Sequence, residues 1–501
     1  MKKVLSIKYI YICIFIFSVF LTSCQPNDEF LKETPKSSLF PESFYTNAAE
    51  LELGLVALYG RAYYPCYKDH DGGIIVALMG GDDMTTQYNN ILEVDIFQAS
   101  SGNVFLSNFW GTTYDAVKAA NSLILNYQRA VDATEQQRDE AAGAAYFIRA
   151  WCYYNLVRVF NEVPLVTGVD VNWTIEKSST QEIYDLIVAD LINAEKMLPV
   201  RGSVYTRTEM VAPTQGSAKA FLASVYLTMA GYPLKQTDKY ALAAAKAKEV
   251  IDNVSTYGYK LLDNYAALWA ALPLKHDELV WGQFHQGGNN QRAPYAGMPA
   301  AYGGWDVYFA EIKFFNDFPE GPRKDATFMT TFPQEDGRVL DWTETLHGHP
   351  YYKKMWETDG YDWDIPWKSA NWQSSRTNQT MRYAEVLLTY AEAQAMADGT
   401  PNTLAYDCVN NTRTRAGLTE LTSGLSGVAF RDSVVMERGW EFAGPEFASR
   451  WFDLVRLERV EEAALNRDPS ETPIPRQPTK EDYFKAIPED EVLRNPNLGK
   501  K

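Results

Sequence analysis

The segment that most constrains the fold is 141–164, where a run of small residues is followed by aromatic ones. Apolar residues recur along it at steps of three and four, which is typical of a helix that buries one face. The small residues from Ala141 to Ala145 let a neighbouring helix approach closely. Trp151 and Phe160 add bulk further along, and Pro164 ends the helix. The segment therefore predicts one half of a pair of packed helices.

The same spacing of apolar residues recurs elsewhere along the chain, in segments 48–63, 109–130, 179–198, 213–230, 238–251, 381–398, 402–416 and 432–464. Asp238 is expected to cap the helix that follows it. The segments have the size of tetratricopeptide-like helix pairs, whose repeat is about 34 residues, although a generic helical bundle would show the same pattern. We expect a mainly α fold, a helical superhelix of about four pairs built from residues 42–256 and 381–465.

Between residues 257 and 380 the helical periodicity fades, and Gly, Pro, Asn and aromatic residues become frequent. This composition predicts an irregular, loop-rich lobe with few short strands, one of them at 278–284. Loops on a rigid scaffold commonly carry binding groups, so any ligand-binding residues are expected in this lobe. A long loop is expected at 65–104, with Gly80–Asp83 as a turn rather than a cation site. Residues 466–501 form a C-terminal tail.

The N-terminus carries an export signal. Three lysines precede an apolar run from Tyr9 to Leu21 that is too short for a transmembrane helix. The sequence Leu21-Thr-Ser-Cys24 then matches the bacterial lipobox, although an ordinary signal peptide with an incidental cysteine is the alternative. The lipobox predicts removal of residues 1–23, lipid attachment at Cys24 and a polar tether over 24–41, so that the protein is anchored to the membrane without spanning it.

Charge and cysteine content exclude several classes of protein. The formal charge is −17, and removal of three lysines with the signal leaves 44 basic against 64 acidic residues, which argues against nucleic-acid binding. Mature chains would keep three cysteines besides Cys24, with no metal or disulfide spacing. No P-loop, dinucleotide-binding, zinc or nucleophile-elbow pattern occurs. His347 and His349 are expected to form a loop pair, so neither cofactor nor metal is predicted.

Several motifs occur together along nearly the whole chain, namely the lipobox at Cys24, Phe147-Ile-Arg149-Ala150, Arg158 with Val163-Pro164-Leu165, Arg382-Tyr-Ala-Glu385, Arg413-Thr-Arg415-Ala-Gly417, Glu437-Arg438 with Glu441-Phe442, Arg450-Trp-Phe-Asp453 and the closing Asn495-Pro496-Asn497-Leu498. As a set they resemble the SusD/RagB family of outer-membrane nutrient-binding lipoproteins. The chain departs from the family pattern at Gly444-Pro445-Glu446-Phe447, where a short Glu-Gly turn is usual.

The resemblance implies a fold, a partner and a location. The expected fold is an α-superhelix of tetratricopeptide-like pairs that backs an irregular binding lobe. The expected partner is a SusC-like TonB-dependent transporter, to which the protein passes captured oligosaccharide. The expected location is the outer membrane, with the protein held by its lipid anchor and facing the cell exterior.

The charged residues of these motifs alternate with apolar positions. We expect them to form ion pairs that fix helix packing rather than to contact ligand. They are Arg149, Arg158, Arg382, Glu385, Glu437, Arg438, Glu441, Arg450 and Asp453.

Carbohydrate ligands stack on exposed aromatic rings and accept a few polar contacts, which directs attention to aromatic residues in loops. The candidate ligand-binding residues are Tyr88 in the first loop, Tyr295, Tyr302 and Trp305 in a glycine-rich stretch, and Trp363 and Trp367 in an acidic, turn-rich stretch. The glycines near Trp305 are expected to leave aromatic faces uncovered. Alternatively these rings form the core of the lobe, the interpretation favoured for Trp342, Trp356 and Trp372.

Three functions fit the sequence. The first is non-catalytic capture of oligosaccharide at the cell surface. The second is a helical glycoside hydrolase, which requires two carboxylates at a defined separation across the sugar. Asp362 and Asp364 are too close in sequence to be convincing partners for that chemistry. The third is a purely structural protein that only seats the transporter lid.

Overall fold

Helices form most of the chain in the computed structural model, which describes residues 44–67, 73–200, 212–269, 276–283, 296–356 and 378–500. The helices are α1 Ala48–Tyr67, α2 Gly73–Ala77, α3 Asn89–Asp95, α4 Val104–Asn126, α5 Glu135–Phe160, α6 Thr180–Met197, α7 Gln215–Met229, α8 Lys239–Asp252, α9 Val254–Tyr257, α10 Ile312–Asp317, α11 Pro322–Thr327, α12 Tyr383–Asp398, α13 Thr403–Arg415, α14 Gly427–Glu441, α15 Arg450–Arg456, α16 Val460–Leu465 and α17 Glu489–Arg494. Short 3₁₀ segments include Tyr265–Trp269, Ala300–Tyr302, Trp342–Glu344 and Lys353–Met355.

The long helices pack as pairs. Helix α1 packs on α4, α5 on α6, α7 on α8, and α12 on α13. Each pair also packs on the next, through α4 with α5, α6 with α7, and α8 with α12, while α14 covers α12. The predicted superhelix of four helix pairs is therefore confirmed, and α12 continues it directly from α8 although the whole lobe lies between them in sequence.

The packing of helix α5 explains the small residues at the start of segment 141–164. Thr134 and Gln137 form a reciprocal capping box at its N-terminus. A Cβ atom added to Gly143 would lie 3.0 Å from Cγ of Leu198, at the end of α6. Ala141 and Ala145 are completely buried. The predicted close approach of a neighbouring helix is confirmed, and a larger side chain at position 143 would push α6 away.

Arg149 links three helices of this array. Its Nε and Nη2 atoms donate to the two carboxylate oxygens of Asp190 on α6, each at 2.8 Å. Its Nη1 atom donates to Oδ1 of Asn121 on α4 at 2.8 Å. Because the guanidinium is buried, these charge-assisted hydrogen bonds fix the relative positions of α4, α5 and α6.

A second buried network joins the helices to the lobe. We call it the charge cluster, and its side chains, each at most 4% exposed, are Glu278, Arg323, Lys354, Arg382, Arg415, Glu437, Glu441 and Glu446. Arg382 donates to Glu278, Glu441 and Glu446 at 2.9, 2.7 and 2.9 Å. Charges buried this deeply are tolerated only because each has a partner.

Most of the ion pairs expected from the motifs are confirmed. Besides Arg149 and the charge cluster, Arg438 pairs with Asp453 and Arg450 with Asp82, both at 2.8 Å. Two expectations are wrong within the described residues. Arg158 instead lies 3.8 Å from the ring centroids of Tyr154 and Phe452, and Glu385 accepts a hydrogen bond from Ser224 Oγ.

The lobe is built from two-stranded ladders. The strands are β1 Met84–Thr85, β2 Leu279–Gln283, β3 Phe309–Ala310, β4 Phe328–Met329, β5 Thr331–Pro333, β6 Val339–Asp341, β7 Tyr351–Tyr352 and β8 Asn378–Arg382. The antiparallel pairs are β1 with β3, β2 with β8, β4 with β7, and β5 with β6. The expected strand at 278–284 is confirmed as β2. Because β8 runs directly into α12, its ladder with β2 joins the lobe to the superhelix.

Two local predictions are wrong. The expected loop at 65–104 contains α2, β1 and α3. These elements are too short to show periodicity, and β1 forms only by pairing with β3, far along the chain. The side chain of Asp238 makes no capping hydrogen bond at the start of α8.

The C-terminal tail is fixed to the scaffold, since Arg467 pairs with Asp95 at 2.9 Å and Asn495 Nδ2 donates to Ile175 O at 2.7 Å. No helix in the described ranges is long and apolar enough to cross a membrane.

Candidate functional site

The short β1–β3 ladder brings the first loop next to the lobe. Met84 pairs with Ala310 and Thr85 with Phe309. Beyond the ladder, Thr86 Oγ1 donates to Val307 O at 2.6 Å, and the same hydroxyl accepts a hydrogen bond from Tyr88 N at 3.0 Å. These contacts place the backbone of Tyr88 beside the turn that precedes Val307. Two of the predicted ligand-binding segments are thereby neighbours.

A chain of polar contacts completes this region, which we call the aromatic edge: Gln87, Tyr88, Trp305, Asp306 and His347. The Nδ1 atom of His347 lies 2.8 Å from Gln87 Oε1. On its other side, Nε2 of His347 lies 3.4 Å from Asp306 Oδ2. The imidazole therefore bridges the first loop and the lobe, and it holds the two aromatic segments in a fixed relation.

Two rings of the aromatic edge reach the surface to different extents. Tyr88 is 37% exposed, and its ring packs edge-on against Phe105. Trp305 is partly buried, with one part of the indole against the core of the lobe. Asn89 and Asn90 are exposed beside Tyr88 and offer amide groups, whereas the amide of Gln87 is bonded at both ends to His347. Such a mixture of ring surface and side-chain amides suits a polyhydroxylated ligand.

The backbone at Asp306 is held in an unusual conformation, with a φ of +51°. Both of its carboxylate oxygens accept hydrogen bonds, Oδ1 from Tyr351 OH at 2.7 Å and Oδ2 from Ala300 N at 3.0 Å. A left-handed conformation at a residue other than glycine costs free energy that surrounding contacts must offset. Such positions cluster at functional sites, and here the conformation fixes the direction in which the chain leaves Trp305.

The glycines before Trp305 have a different purpose from the one expected. A Cβ atom added to Gly304 would lie 2.1 Å from Met298 O, which is a severe clash with backbone. Gly304 is buried, and its lack of a side chain allows the backbone at residue 304 to contact the backbone of Met298. The expectation that these glycines uncover aromatic faces is wrong, because the space is filled by main chain.

The other candidate residues fall in two groups. Tyr302 is 1% exposed and its hydroxyl donates to Pro333 O at 2.8 Å, so its assignment to a binding surface is wrong and it belongs to the lobe core. Trp356, completely buried, is a core residue as favoured, and Trp342 packs against the same core. Tyr295, Trp363, Trp367 and Cys24, together with Trp372, lie outside the residues that the structure describes.

A separate concavity of about 850 Å³ lies within the lobe. Its lining includes Trp269, Phe328, Met329, Asp325 and Lys353. Trp269 and Phe328 are only 6% and 3% exposed, so neither offers a free ring face. Since stacking on a sugar requires an accessible face, the aromatic edge is the better candidate site. Gln87 was not predicted to lie with Asp306 and His347, because more than 200 residues separate it from each of them in the chain.

The GGDD segment lies immediately before β1 and forms the expected turn. Asp82 pairs with Arg450 on α15. Asp83 is completely buried; its Oδ2 accepts a hydrogen bond from Gly444 N at 3.0 Å, whereas its Oδ1 has no partner. Burial, reinforced by the neighbouring charge of Asp82, raises the pKa of Asp83 to about 7. Among the described residues, no group of three or more His, Cys, Asp and Glu could hold a metal.

The raised pKa of Asp83 predicts a pH-dependent loss of stability. Folding favours the protonated carboxyl, so stability falls as pH rises from about 4 to about 7, while only the unfolded chain releases the proton. Asp83→Asn should therefore be more stable than wild type at pH 8, by an amount on the order of 2 kcal/mol, and similar to it at pH 4. Urea unfolding at both pH values measures this. The exposed change Asp170→Asn serves as the control, and an equal effect of Asp83→Asn at both pH values would contradict the account.

Two family models of SusD-type proteins match the N-terminal and C-terminal parts of the chain. A family model described as the SusD family matches residues 342–500, and one described as starch-binding associating with outer membrane matches residues 29–227. The chain is 29% identical over 506 residues to the SusD-like protein P2 of Formosa agariphila, covering 93% of this chain and 95% of that protein.

Solved structures show the same fold. Surface glycan-binding protein A from Bacteroides uniformis aligns with a TM-score of 0.74 and 22% identity, over 90% of this chain and 98% of that chain. A laminarin-binding SusD-like protein aligns with a TM-score of 0.72 and 22% identity, over the same shares of the two chains. The similarity thus extends through both the helical superhelix and the lobe.

Proposed function

Since this chain belongs to the SusD/RagB family, we propose that it is a non-catalytic surface protein that binds oligosaccharide and passes it to a SusC-like TonB-dependent transporter. The observation that carries the proposal is the aromatic edge, where the segments of Tyr88 and Trp305 are linked by the Gln87–His347–Asp306 bridge. Related proteins described as binding glycan and laminarin support the choice of ligand class.

The chemistry of the aromatic edge favours capture of a neutral sugar. A pyranose ring presents C–H groups on its faces and hydroxyl groups around its rim. Tyr88 offers ring surface, while the exposed amides of Asn89 and Asn90 can each donate and accept hydrogen bonds. Such shallow sites bind reversibly, which suits a protein that must release its ligand to a transporter.

The same residues favour binding without hydrolysis. Glycoside hydrolysis needs one carboxyl group as acid and a second as base or nucleophile on opposite sides of the bond. The carboxylate of the aromatic edge, Asp306, already accepts hydrogen bonds from Tyr351 and Ala300 at its two oxygens. It is thereby engaged in holding the turn, and it is a poor candidate for proton transfer.

Residues before the folded unit support a lipid-anchored, outward-facing location. The lipobox ends at Cys24, and the polar segment 25–41 is long enough to act as a tether between lipid and protein. A lipid-modified cysteine holds a protein at a membrane without a spanning helix. The outer membrane is the compartment in which the transporter lies.

Replacement of the anchoring cysteine tests this location. Cys24→Ser should abolish labelling of the protein by palmitate and should remove it from the outer-membrane fraction. Intact cells should then lose capture of fluorescent oligosaccharide, while the purified variant binds as wild type does, because the folded unit is unchanged. The matched control is Cys66→Ser, which leaves the lipobox intact. Continued palmitate labelling of Cys24→Ser would overturn the assignment.

A further inference from the structure

A second pocket lies away from the aromatic edge, between α10, α14 and α16. We call it the α10–α14 groove; its volume is about 390 Å³. Its apolar lining includes Phe314, Met436 and Trp440. Met436 is 39% exposed, and the two rings are partly buried, so each presents some surface to the groove. A groove of this size holds about one or two sugar rings.

The charges of the groove largely cancel. Four carboxylates and three cationic groups line it, which leaves a formal charge of −1. Asp82 pairs with Arg450, and Asp317 pairs with Lys313. Glu311 accepts hydrogen bonds from Phe314 N and Asp468 N. Because these charges are satisfied by the protein, the groove has no excess charge to attract an anion, and a neutral ligand suits it best.

Several hydrogen-bonding groups remain for such a ligand. Glu462 and Asn466 are exposed at the rim, and the described residues give neither side chain a hydrogen-bond partner. The Nη1 atom of Arg450 has no partner, but it is closed to solvent and is therefore not available to a ligand. Aromatic surface next to an amide and a carboxylate forms a lining suited to hydroxyl groups.

We propose that the α10–α14 groove is a second binding site for a short stretch of neutral oligosaccharide, with Trp440 as its stacking residue. The proposal rests on the function proposed above for the choice of ligand class. Asp82 lines the groove and precedes Tyr88 by six residues, so the backbone positions of these two residues are at most about 20 Å apart. Two sites this close can engage one polymer chain, which raises its apparent affinity.

Methyl NMR of the full chain labelled at methionine tests the groove directly. Met436 lines it, and its resonance can be assigned with Met436→Leu. The probes are neutral hexasaccharides of the malto-, cello-, laminari-, xylo- and manno- series. We expect at least one of them to shift the Met436 resonance. Trp440→Ala should weaken that titration at least tenfold, whereas Trp440→Phe keeps a ring and should retain most of it.

Two controls separate the groove from the aromatic edge. Trp173→Ala removes an indole that is 59% exposed elsewhere on the surface, and it should leave the shift unchanged. Tyr88→Ala should weaken binding at the edge but preserve the Met436 shift. If sugar binds in a Tyr88-dependent manner and Met436 never shifts, the groove proposal fails alone. A Met436 shift that Tyr88→Ala abolishes and Trp440→Ala preserves would also overturn it. Absence of binding by every sugar would overturn both proposals.

Discussion

Arg382→Met is expected to lower the free energy of unfolding by about 3–5 kcal/mol, the loss typical when one member of a buried ion-pair network is removed. Arg382 is 1% exposed and donates to Glu278, Glu441 and Glu446. Its Nη2 atom also donates to the main-chain oxygen of Glu441 at 3.0 Å. Methionine fills most of the volume but leaves carboxylates buried with too few cations.

The effect should depend on pH in a defined direction. Burial alone would raise the pKa of Glu441, but Arg415, Arg382 and Arg323 outweigh it and lower that pKa to about 2. A lowered pKa stabilises the fold above about pH 4.5 and loses this contribution as pH falls towards 2. The deficit of Arg382→Met should therefore be largest at neutral pH and smaller at pH 3.

Urea unfolding at pH 7 and pH 3 measures both expectations. Arg338→Met is the matched control, because Arg338 pairs with Asp336 at the surface with 69% of its side chain exposed. The control should be indistinguishable from wild type, as isolated surface ion pairs contribute little. Wild-type stability of Arg382→Met at pH 7 would show that the charge cluster does not hold the lobe to the helices.

Tyr88→Ala and Trp305→Ala are expected to weaken oligosaccharide binding by at least tenfold each, which corresponds to about 1.4 kcal/mol or more. Both changes remove ring surface from the aromatic edge, where Tyr88 is 37% exposed and Trp305 partly buried. Tyr88→Phe keeps the ring and should retain most of the affinity. The result separates stacking from a hydrogen bond by the hydroxyl group.

Titration calorimetry with the best-binding oligosaccharide gives these affinities. Trp173→Ala again removes an exposed indole outside the site and should bind as wild type does. Trp305 also packs against the lobe core, so the thermal midpoint of each variant must be measured alongside its affinity. Unchanged affinity in Tyr88→Ala, with the fold intact, would move the binding site away from the aromatic edge.

The helical part of the fold was predictable because long amphipathic segments carry their own signal. The small residues around Gly143 predicted a close contact with a neighbouring helix, and α6 makes that contact. The short strand β1 gave no such signal, since its partner β3 lies more than 200 residues away in the chain. Thr86, for example, is positioned by its hydrogen bond to Val307 O.

The candidate site was predictable only in part. Sequence pattern marked Tyr88 and Trp305 as loop aromatics, but it could not show that a two-residue ladder places their segments side by side. The burial of Tyr302 was equally hard to predict, because only two residues separate it from Trp305 and the packing of the turn decides which ring faces inward. The bridging role of His347 depends entirely on tertiary structure.

Binding of oligosaccharide and its hydrolysis can be distinguished in a single set of samples. The full chain is titrated by calorimetry with neutral oligosaccharides, and newly formed reducing ends are assayed in the same samples. The account predicts saturable heat with at least one sugar and no increase in reducing ends over hours. An increase in reducing ends would establish hydrolysis instead, and the absence of heat with every sugar would contradict glycan capture.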